Sequence, residues 1–159
     1  MSEKVLKGVN IMTHDGIRNA DITIENGIIG KIEYRNEKSN LFAIPGFIDT
    51  HIHGFSGAGT DDGSADSILR MSERLIDYGV TSFFPTIYTD TLEKMERDII
   101  AVREASGNEK GAKIRGIHIE GPFISPKRIG AQNPEGRKDP DAELFLHLVK
   151  LAPGLVKAM

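Results

Sequence analysis

The sequence has 159 residues, of which 39% are hydrophobic and 27% charged, and its formal net charge is −3. This composition is typical of a globular protein, and the slight negative charge argues against binding to nucleic acid or to an anionic membrane surface. Because there is no cysteine, disulfide bonds and thiolate metal sites are excluded, and any metal must take nitrogen and oxygen ligands. No stretch predicts a membrane span and the first residues do not resemble a signal peptide, so a cytoplasmic location is the default expectation.

The first part of the chain has the pattern of a small antiparallel β unit. Residues 4–12 predict one strand, and two further strand-like runs, 20–25 and 28–32, are separated by Asn26 and Gly27. Both positions of a two-residue hairpin turn need positive φ, which these two residues tolerate, so a hairpin is predicted here. We assign residues 1–44 to this first unit.

From residue 45 onward, strands and helices alternate. Apolar runs predict strands over 47–52, 80–84, 114–119 and 155–159. The helices between them are predicted from apolar residues at three- to four-residue spacing: Ile68, Leu69, Leu75 and Ile76; Leu92, Met95, Ile99 and Val102; Leu144, Phe145, Leu148 and Val149. Expected boundary residues are Ser64 as the first N-cap, Gly79 after the first helix, Pro85 after the second strand and Pro140 in the first turn of the third helix.

Repeated strand–helix units predict a parallel sheet covered on both faces. A closed (β/α)8 barrel needs roughly 250 residues, which is more than this sequence has. An open doubly wound sheet of this length would be a small one. Residues 45–159 are therefore interpreted as the first βα units of a larger α/β domain, and the chain as the front part of a longer protein.

Two histidines separated by one residue end the first of these strands. Side chains alternate faces along a strand, so His51 and His53 are predicted to point the same way. Two imidazoles held side by side at a strand end make half of a metal site. The glycine-rich loop that follows them strengthens this interpretation over a chance pair.

The carboxyl ends of parallel strands form one rim, where active sites of α/β proteins lie. The second strand ends near Thr86 and the third ends at Glu120, so Glu120 is expected on the same rim as the histidine pair. A carboxylate beside two imidazoles suits zinc, iron(II), manganese or cobalt. The alternative for Glu120 is a solvated loop carboxylate, but the turn at Gly121-Pro122 directly after an apolar strand disfavours it.

Two more residues are expected to support this site. His118 faces the same side as Glu120 and is interpreted as a hydrogen-bonding neighbour of the ligands, with a ligand role or a satisfied interior histidine as the alternatives. Asp49 precedes His51 by two residues, and either orients that imidazole or forms a salt bridge at the strand end. The two remaining histidines, His14 and His147, are expected on the surface.

These motifs resemble those of the N-acetylglucosamine-6-phosphate deacetylases, which belong to the amidohydrolase superfamily. The resemblance covers essentially the whole chain, as the N-terminal portion of such an enzyme. It is carried by Pro45-Gly46-Phe47-Ile48-Asp49-Thr50-His51-Ile52-His53-Gly54, by Gly79-Val80-Thr81-Ser82-Phe83, by Gly116-Ile117-His118-Ile119-Glu120-Gly121-Pro122-Phe123, and by the Lys-Arg-x-Gly-Ala-Gln-Asn-Pro run that follows.

The resemblance implies a (β/α)8 barrel preceded by strands of a small β-sandwich, and metal-dependent hydrolysis of the acetamide of N-acetylglucosamine 6-phosphate to glucosamine 6-phosphate and acetate. It implies that Glu120 is a metal ligand, that His51 and His53 are the extra ligands of members with two metals, and that Ala131 and Gln132 contact the substrate. Many members have histidine in place of Gln132. Full-length relatives are commonly dimers, so a homodimer is expected for the full-length protein.

The same resemblance places the family's other two metal-binding histidines, its catalytic aspartate and most of its phosphate-binding residues on later strands. No catalytic residue is therefore assigned within this sequence, and the chain alone is expected to be inactive. Two alternatives remain: another amidohydrolase acting on a cyclic amide, such as a dihydroorotase or imidazolonepropionase, and a non-catalytic metal-binding module. The Glu-Gly-Pro-Phe turn after the third strand argues against the first, and the apolar strand at the end of the sequence argues against the second.

Overall fold

The computed structural model describes residues 3–159, and the chain divides into two compact units, Met1–Pro45 and Gly46–Met159. The first unit contains four strands: β1 (Glu3–Thr13), β2 (Gly16–Glu25), β3 (Ile28–Arg35) and β4 (Phe42–Ala43). They form one sheet in the order β3-β2-β1-β4, in which only the β1–β4 pair is parallel.

The predicted hairpin of this sheet is confirmed. Asn26 and Gly27 join β2 to β3 with φ values of 51° and 82°, the left-handed conformation that such a turn requires at both positions. A small core lies on one face of the sheet and consists of Val9, Ile11, Ala20 and Ile22.

The second unit is an α/β unit built on a parallel sheet. Its elements are β5 (Phe47–Ile52), β6 (Gly54–Phe55), β7 (Ala58–Gly59), α1 (Ala65–Leu75), β8 (Val80–Tyr88), α2 (Leu92–Ala105), β9 (Lys113–Ile114), β10 (Ile117–Glu120), α3 (Ala142–Leu151) and β11 (Val156–Ala158). The short strands β6 and β7 pair with each other in the loop after β5.

The main strands lie side by side in the order in which they occur along the chain, β5-β8-β10-β11, and every neighbouring pair is parallel. A doubly wound sheet reverses its strand order at a switch point, whereas a (β/α)8 barrel adds each strand next to the previous one. The observed order is therefore that of consecutive units of a barrel.

The core of this unit lies between the sheet and the helices. Ile68 and Met71 of α1, Ile99 of α2, and Phe83 and Ile119 of the sheet are all fully buried. The apolar spacing that predicted α1 and α2 thus marks the faces that pack on the sheet. Among the described residues, no helix combines the length and the apolar character needed to cross a membrane.

Several predicted details in the α1–β8 region differ from the structure. Ser64 is the N-cap of α1, as predicted, but its side chain makes no capping hydrogen bond. Ile76 is 43% exposed, because the chain tightens into a 3-10 turn at Ile76–Tyr78 and leaves the helical face. Strand β8 continues through Pro85 to Tyr88; the β5–β8 register is irregular around this proline, which has no N–H to donate.

Two further boundaries shift. The strand predicted over 114–119 is interrupted, so that β9 pairs only with β8, while β10 lies between β8 and β11. Helix α3 begins at Ala142, two residues after Pro140, because Asp141 is its N-cap and accepts the backbone N–H groups of Glu143 and Leu144. Pro140 therefore lies before the helix.

The burial of Ile99 in the core predicts a large loss of stability when its side chain is shortened. Ile99→Ala should lower the free energy of unfolding by about 2–5 kcal/mol, since the side chain has no exposed surface and its loss leaves a cavity. Leu146→Ala on α3, where the side chain is 52% exposed, is the matched control and should change it by at most about 0.5 kcal/mol. Urea denaturation measures both, and equal small effects would contradict the assigned core.

Candidate metal centre

Strand β5 places His51 and His53 on one face, as their alternation predicts. Their Nε2 atoms lie 3.1 Å apart. The neighbouring strands bring the carboxylate to the same point: Glu120, the last residue of β10, places its Oε2 atom 3.2 Å from His51 Nε2 and 3.0 Å from His53 Nε2. The expected convergence of the three side chains is therefore present in the geometry.

These donor atoms match what a divalent cation requires. Two donors bound to one ion at about 2.1 Å lie about 3.0–3.4 Å from each other, and the three observed separations fall in that range. Within residues 3–159, this is the one group of three or more histidine and acidic side chains whose ligand atoms lie close enough together to hold an ion. The arrangement fits a metal with nitrogen and oxygen ligands.

The ring of His53 has a defined tautomer. Its Nδ1 atom lies 3.0 Å from the backbone oxygen of Thr86, which can only accept a hydrogen bond. Nδ1 must therefore carry the proton and donate it to that oxygen, so that Nε2 of the neutral ring keeps its lone pair on the side of Glu120. This is the arrangement that a metal-ligating histidine needs.

His118 is a neighbour of the three convergent side chains. Its ring packs edge-on against the ring of His51 with a centroid distance of 4.8 Å, and its Nδ1 atom is 3.3 Å from the Thr86 hydroxyl. Desolvation, with a smaller contribution from the neighbouring His51, lowers the pKa of His118 and favours its neutral form. His118 thus contacts the ligand candidates as a neighbour.

Asp49 contacts the backbone of His51 and makes no recorded hydrogen bond to its imidazole. Its carboxylate accepts the His51 N–H at 3.0 Å. This contact fixes the chain at the start of the His51–His53 segment rather than the orientation of the ring.

A cleft of about 890 Å³ opens beside these side chains. The loop after β10 forms much of its wall, with Arg128, Ala131 and Gln132. His53, Tyr88, His118 and Glu120 line it as well. The two residues that the resemblance assigns to substrate therefore line the same cleft as two of the candidate metal ligands, His53 and Glu120.

This loop is attached to the end of β8. Gln132 accepts the Thr89 N–H through its Oε1 atom at 2.8 Å, and the Asn133 N–H donates to the Thr89 carbonyl at 3.1 Å. Gly136 packs so closely on the backbone of Asp90 that a Cβ would lie 1.9 Å from the Asp90 oxygen. The loop that follows β10 is therefore held by two residues, Thr89 and Asp90, that follow β8.

The glycine-rich loop after His53 is held in a similar way. Thr60 donates from its hydroxyl toward the backbone oxygens of both His53 and Thr86, at 3.0 and 2.8 Å. Tyr88 donates its hydroxyl to Asp61 at 3.0 Å; burial and this hydrogen bond raise the pKa of Tyr88 to about 12. The Tyr88 ring packs edge-on against His53, with ring centroids 5.5 Å apart.

Comparison with known proteins identifies the family. The sequence pattern of the Amidohydrolase family matches residues 42–159. The chain belongs to the amidohydrolase family. It is 36% identical over 173 aligned residues to the N-acetylglucosamine-6-phosphate deacetylase of Bacillus subtilis, an alignment that covers 99% of this chain and 44% of the relative.

Solved structures agree on the fold. The N-acetylglucosamine-6-phosphate deacetylase of Thermotoga maritima superposes with a TM-score of 0.80 at 32% identity, covering 90% of this chain and 39% of that protein. The Mycobacterium smegmatis deacetylase, solved as a D267A mutant with N-acetyl-D-glucosamine 6-phosphate, gives a TM-score of 0.82 at 23% identity, covering 98% and 42%. The amidohydrolase chain thus spans less than half the length of these relatives.

Sequence reasoning identified the convergent side chains but missed the residues that hold them. The sequence places Thr86 only near the end of a strand and gives no role to Thr60, Tyr88 or Asp61. The available signal is Thr86 itself, since a polar residue inside an apolar strand usually has a hydrogen-bonding partner in the interior.

The loop contacts predict an acid-sensitive contribution from Asp90. Hydrogen bonds from Lys94 first, and also from Asn133 and the Thr91 N–H, lower its pKa to about 2. A lowered pKa in the folded state stabilises the protein above the ordinary value of 3.8, and this contribution is lost as the pH falls toward 2. Asp90→Asn should therefore reduce the free energy of unfolding by about 1–2 kcal/mol at pH 7.

The matched measurement compares the two proteins by urea denaturation between pH 7 and pH 2. The difference between them should shrink mainly below pH 4, where the folded wild type also takes up the proton. A difference that stays constant across this range would contradict the assigned pKa.

Proposed function

We propose that this chain forms part of an N-acetylglucosamine-6-phosphate deacetylase and supplies half of its metal centre. The observation that carries the proposal is the convergence of His51, His53 and Glu120 at the rim of a parallel sheet, next to the loop with Ala131 and Gln132. The relative from Bacillus subtilis, which aligns with 99% of the chain, is named for this activity. Together, the Glu-Gly-Pro-Phe turn after β10 and the sequence identity favour the deacetylase over other amidohydrolases.

In this proposal, His51, His53 and Glu120 hold zinc, iron(II), manganese or cobalt, with one or two ions in the complete site. The ion supplies Lewis-acid chemistry toward the acetamide carbonyl and toward water. The chain's own part is to present the donors in the correct state: His53 keeps its Nε2 lone pair, because its proton is bound at Nδ1.

Gln132 has a polarity that suits a substrate oxygen. Its Oε1 atom is occupied by the Thr89 N–H, so its NH2 group is the part that remains to donate into the cleft. Arg128 lines the same cleft and brings a positive charge, which suits the phosphate of a sugar phosphate. Among the residues that line the cleft, Glu120 is the one carboxylate, and proton transfer by an aspartate is assigned to later strands of the family fold.

Removal of the proposed ligands should weaken metal binding. His51→Ala and Glu120→Gln should each lower the affinity for Zn²⁺ or Mn²⁺ by more than the roughly 10- to 100-fold cost of losing an outer hydrogen-bond partner. His147→Ala is the matched control, because His147 lies on α3 and pairs with Glu96, away from the three donors. Isothermal titration with a competing chelator measures the affinities, and binding equal to that of the wild type in both ligand variants would refute the site.

The activity itself is tested on the full product of the gene that encodes this chain. We expect acetate release from N-acetylglucosamine 6-phosphate and no ring opening of a cyclic amide such as dihydroorotate; the reverse pattern would favour the alternative amidohydrolase.

The same preparation, analysed by light scattering, tests the expected homodimer.

The 159-residue chain by itself should show no turnover, because the family places two more metal-binding histidines and the catalytic aspartate on later strands. Acetate release by the purified chain, with longer contaminants excluded by mass spectrometry, would contradict this expectation. Metal binding without turnover is the result that the proposal requires.

A further inference from the structure

The side chains of His51 and His53 in β5 need contacts from other residues to bring their Nε2 atoms together. Side chains two residues apart in a strand start about 6.6 Å from each other, yet the Nε2 atoms of His51 and His53 lie 3.1 Å apart. The rings must therefore be turned toward each other and held there. One residue of the neighbouring strand, Thr86, contacts the backbone between the two histidines, one of the two rings, and the ring that packs against the other.

The first contact is with the backbone. The Ile52 N–H lies between the two histidines and donates to the Thr86 hydroxyl at 3.1 Å. The register between β5 and β8 shifts between Asp49 and Ile52, next to Pro85. The hydroxyl thus acts as the acceptor for this N–H where the strand pairing is irregular.

The second contact is with the ring of His53. The Thr86 carbonyl accepts from His53 Nδ1 at 3.0 Å, and the Thr60 hydroxyl approaches the same carbonyl at 2.8 Å. Thr60 is 1% exposed and Thr86 fully buried, so water has little access to compete for these hydrogen bonds. The carbonyl position, and with it the direction of the His53 ring, is held from two sides.

The third contact reaches the other histidine indirectly. The Thr86 hydroxyl lies 3.3 Å from Nδ1 of His118, whose ring packs edge-on against His51. A single hydroxyl therefore connects the backbone of β5 to the histidine of β10 that supports the His51 ring. In the strand pairing, Thr86 lies directly opposite His118.

We propose that Thr86 is a positioning residue for the metal centre: its hydroxyl sets the separation of His51 and His53, and its carbonyl fixes the tautomer of His53. This inference rests on the proposed metal site and adds a residue that touches none of the three donor atoms. It assigns to a buried threonine a role in metal affinity rather than in stability alone.

The test compares three variants of the full protein in titrations with Zn²⁺ and with Mn²⁺. Thr86→Val keeps the shape and removes the hydroxyl, and should weaken binding about 10- to 100-fold. Thr86→Ser keeps the hydroxyl and should stay within about threefold of the wild type. Thr81→Val, the same change at an exposed threonine of the same strand, should leave the affinity unchanged.

Thermal unfolding of the metal-free proteins separates positioning from stability. A Thr86→Val variant that is less stable but binds metal as tightly as the wild type would overturn the proposal. So would a Thr86→Ser variant as weak as Thr86→Val, because the hydroxyl would then not be the group that matters.

The tautomer of His53 is tested in the metal-free wild type, so this measurement does not depend on whether Thr86→Val folds. Protein labelled with ¹⁵N-histidine should show the neutral ring of His53 protonated at Nδ1 and bare at Nε2. Protonation at Nε2 would overturn the carbonyl's role. If the wild type binds neither metal, the proposed function fails; if wild type and Thr86→Val bind equally, only this inference fails.

Discussion

The proposed metal centre depends on three lone-pair donors that lie within hydrogen-bonding distance of one another. His51 Nε2, His53 Nε2 and Glu120 Oε2 are separated by 3.0–3.2 Å. Since the proton of neutral His53 is bound at Nδ1, a single proton on His51 Nε2 can satisfy one of these contacts but not all three. A divalent ion bound there would satisfy all three at once, which is the physical reason to propose a metal at this point.

The parallel sheet provides this geometry because buried apolar side chains fix its strands, while polar side chains of the same strands form the site. In β10, the fully buried Ile117 and Ile119 alternate with His118 and Glu120, which lie at the site, and Phe83 of β8 is fully buried beside them. The strands end in register, so that Glu120 lies opposite Tyr88 and His118 opposite Thr86. The side chains at the rim therefore stand on a packed core that fixes their starting points.

The sequence predicts features that depend on the alternation of side chains along a strand, but not those that depend on contacts between distant residues. The alternation in β5 was sufficient to place His51 and His53 on one face, and the rim rule brought Glu120 to them. The extension of β8 through Pro85 was missed, because local proline chemistry favours a strand end and only the pairing with β5 overrides it. The contacts of Thr86 with Ile52, His53 and His118 are harder to predict, since these residues lie 32 to 34 positions away along the chain.

Gln132 shows how the structure explains a departure from the family pattern. Many related enzymes have histidine at this position, and a neutral imidazole offers one acceptor and one donor on opposite sides of its ring. Gln132 offers the same pair: its carbonyl oxygen accepts the Thr89 N–H, and its NH2 group remains to donate toward the cleft. Because the Oε1 acceptor is engaged by the Thr89 N–H just after β8, the substrate contact proposed for Gln132 is a hydrogen bond donated by its NH2 group.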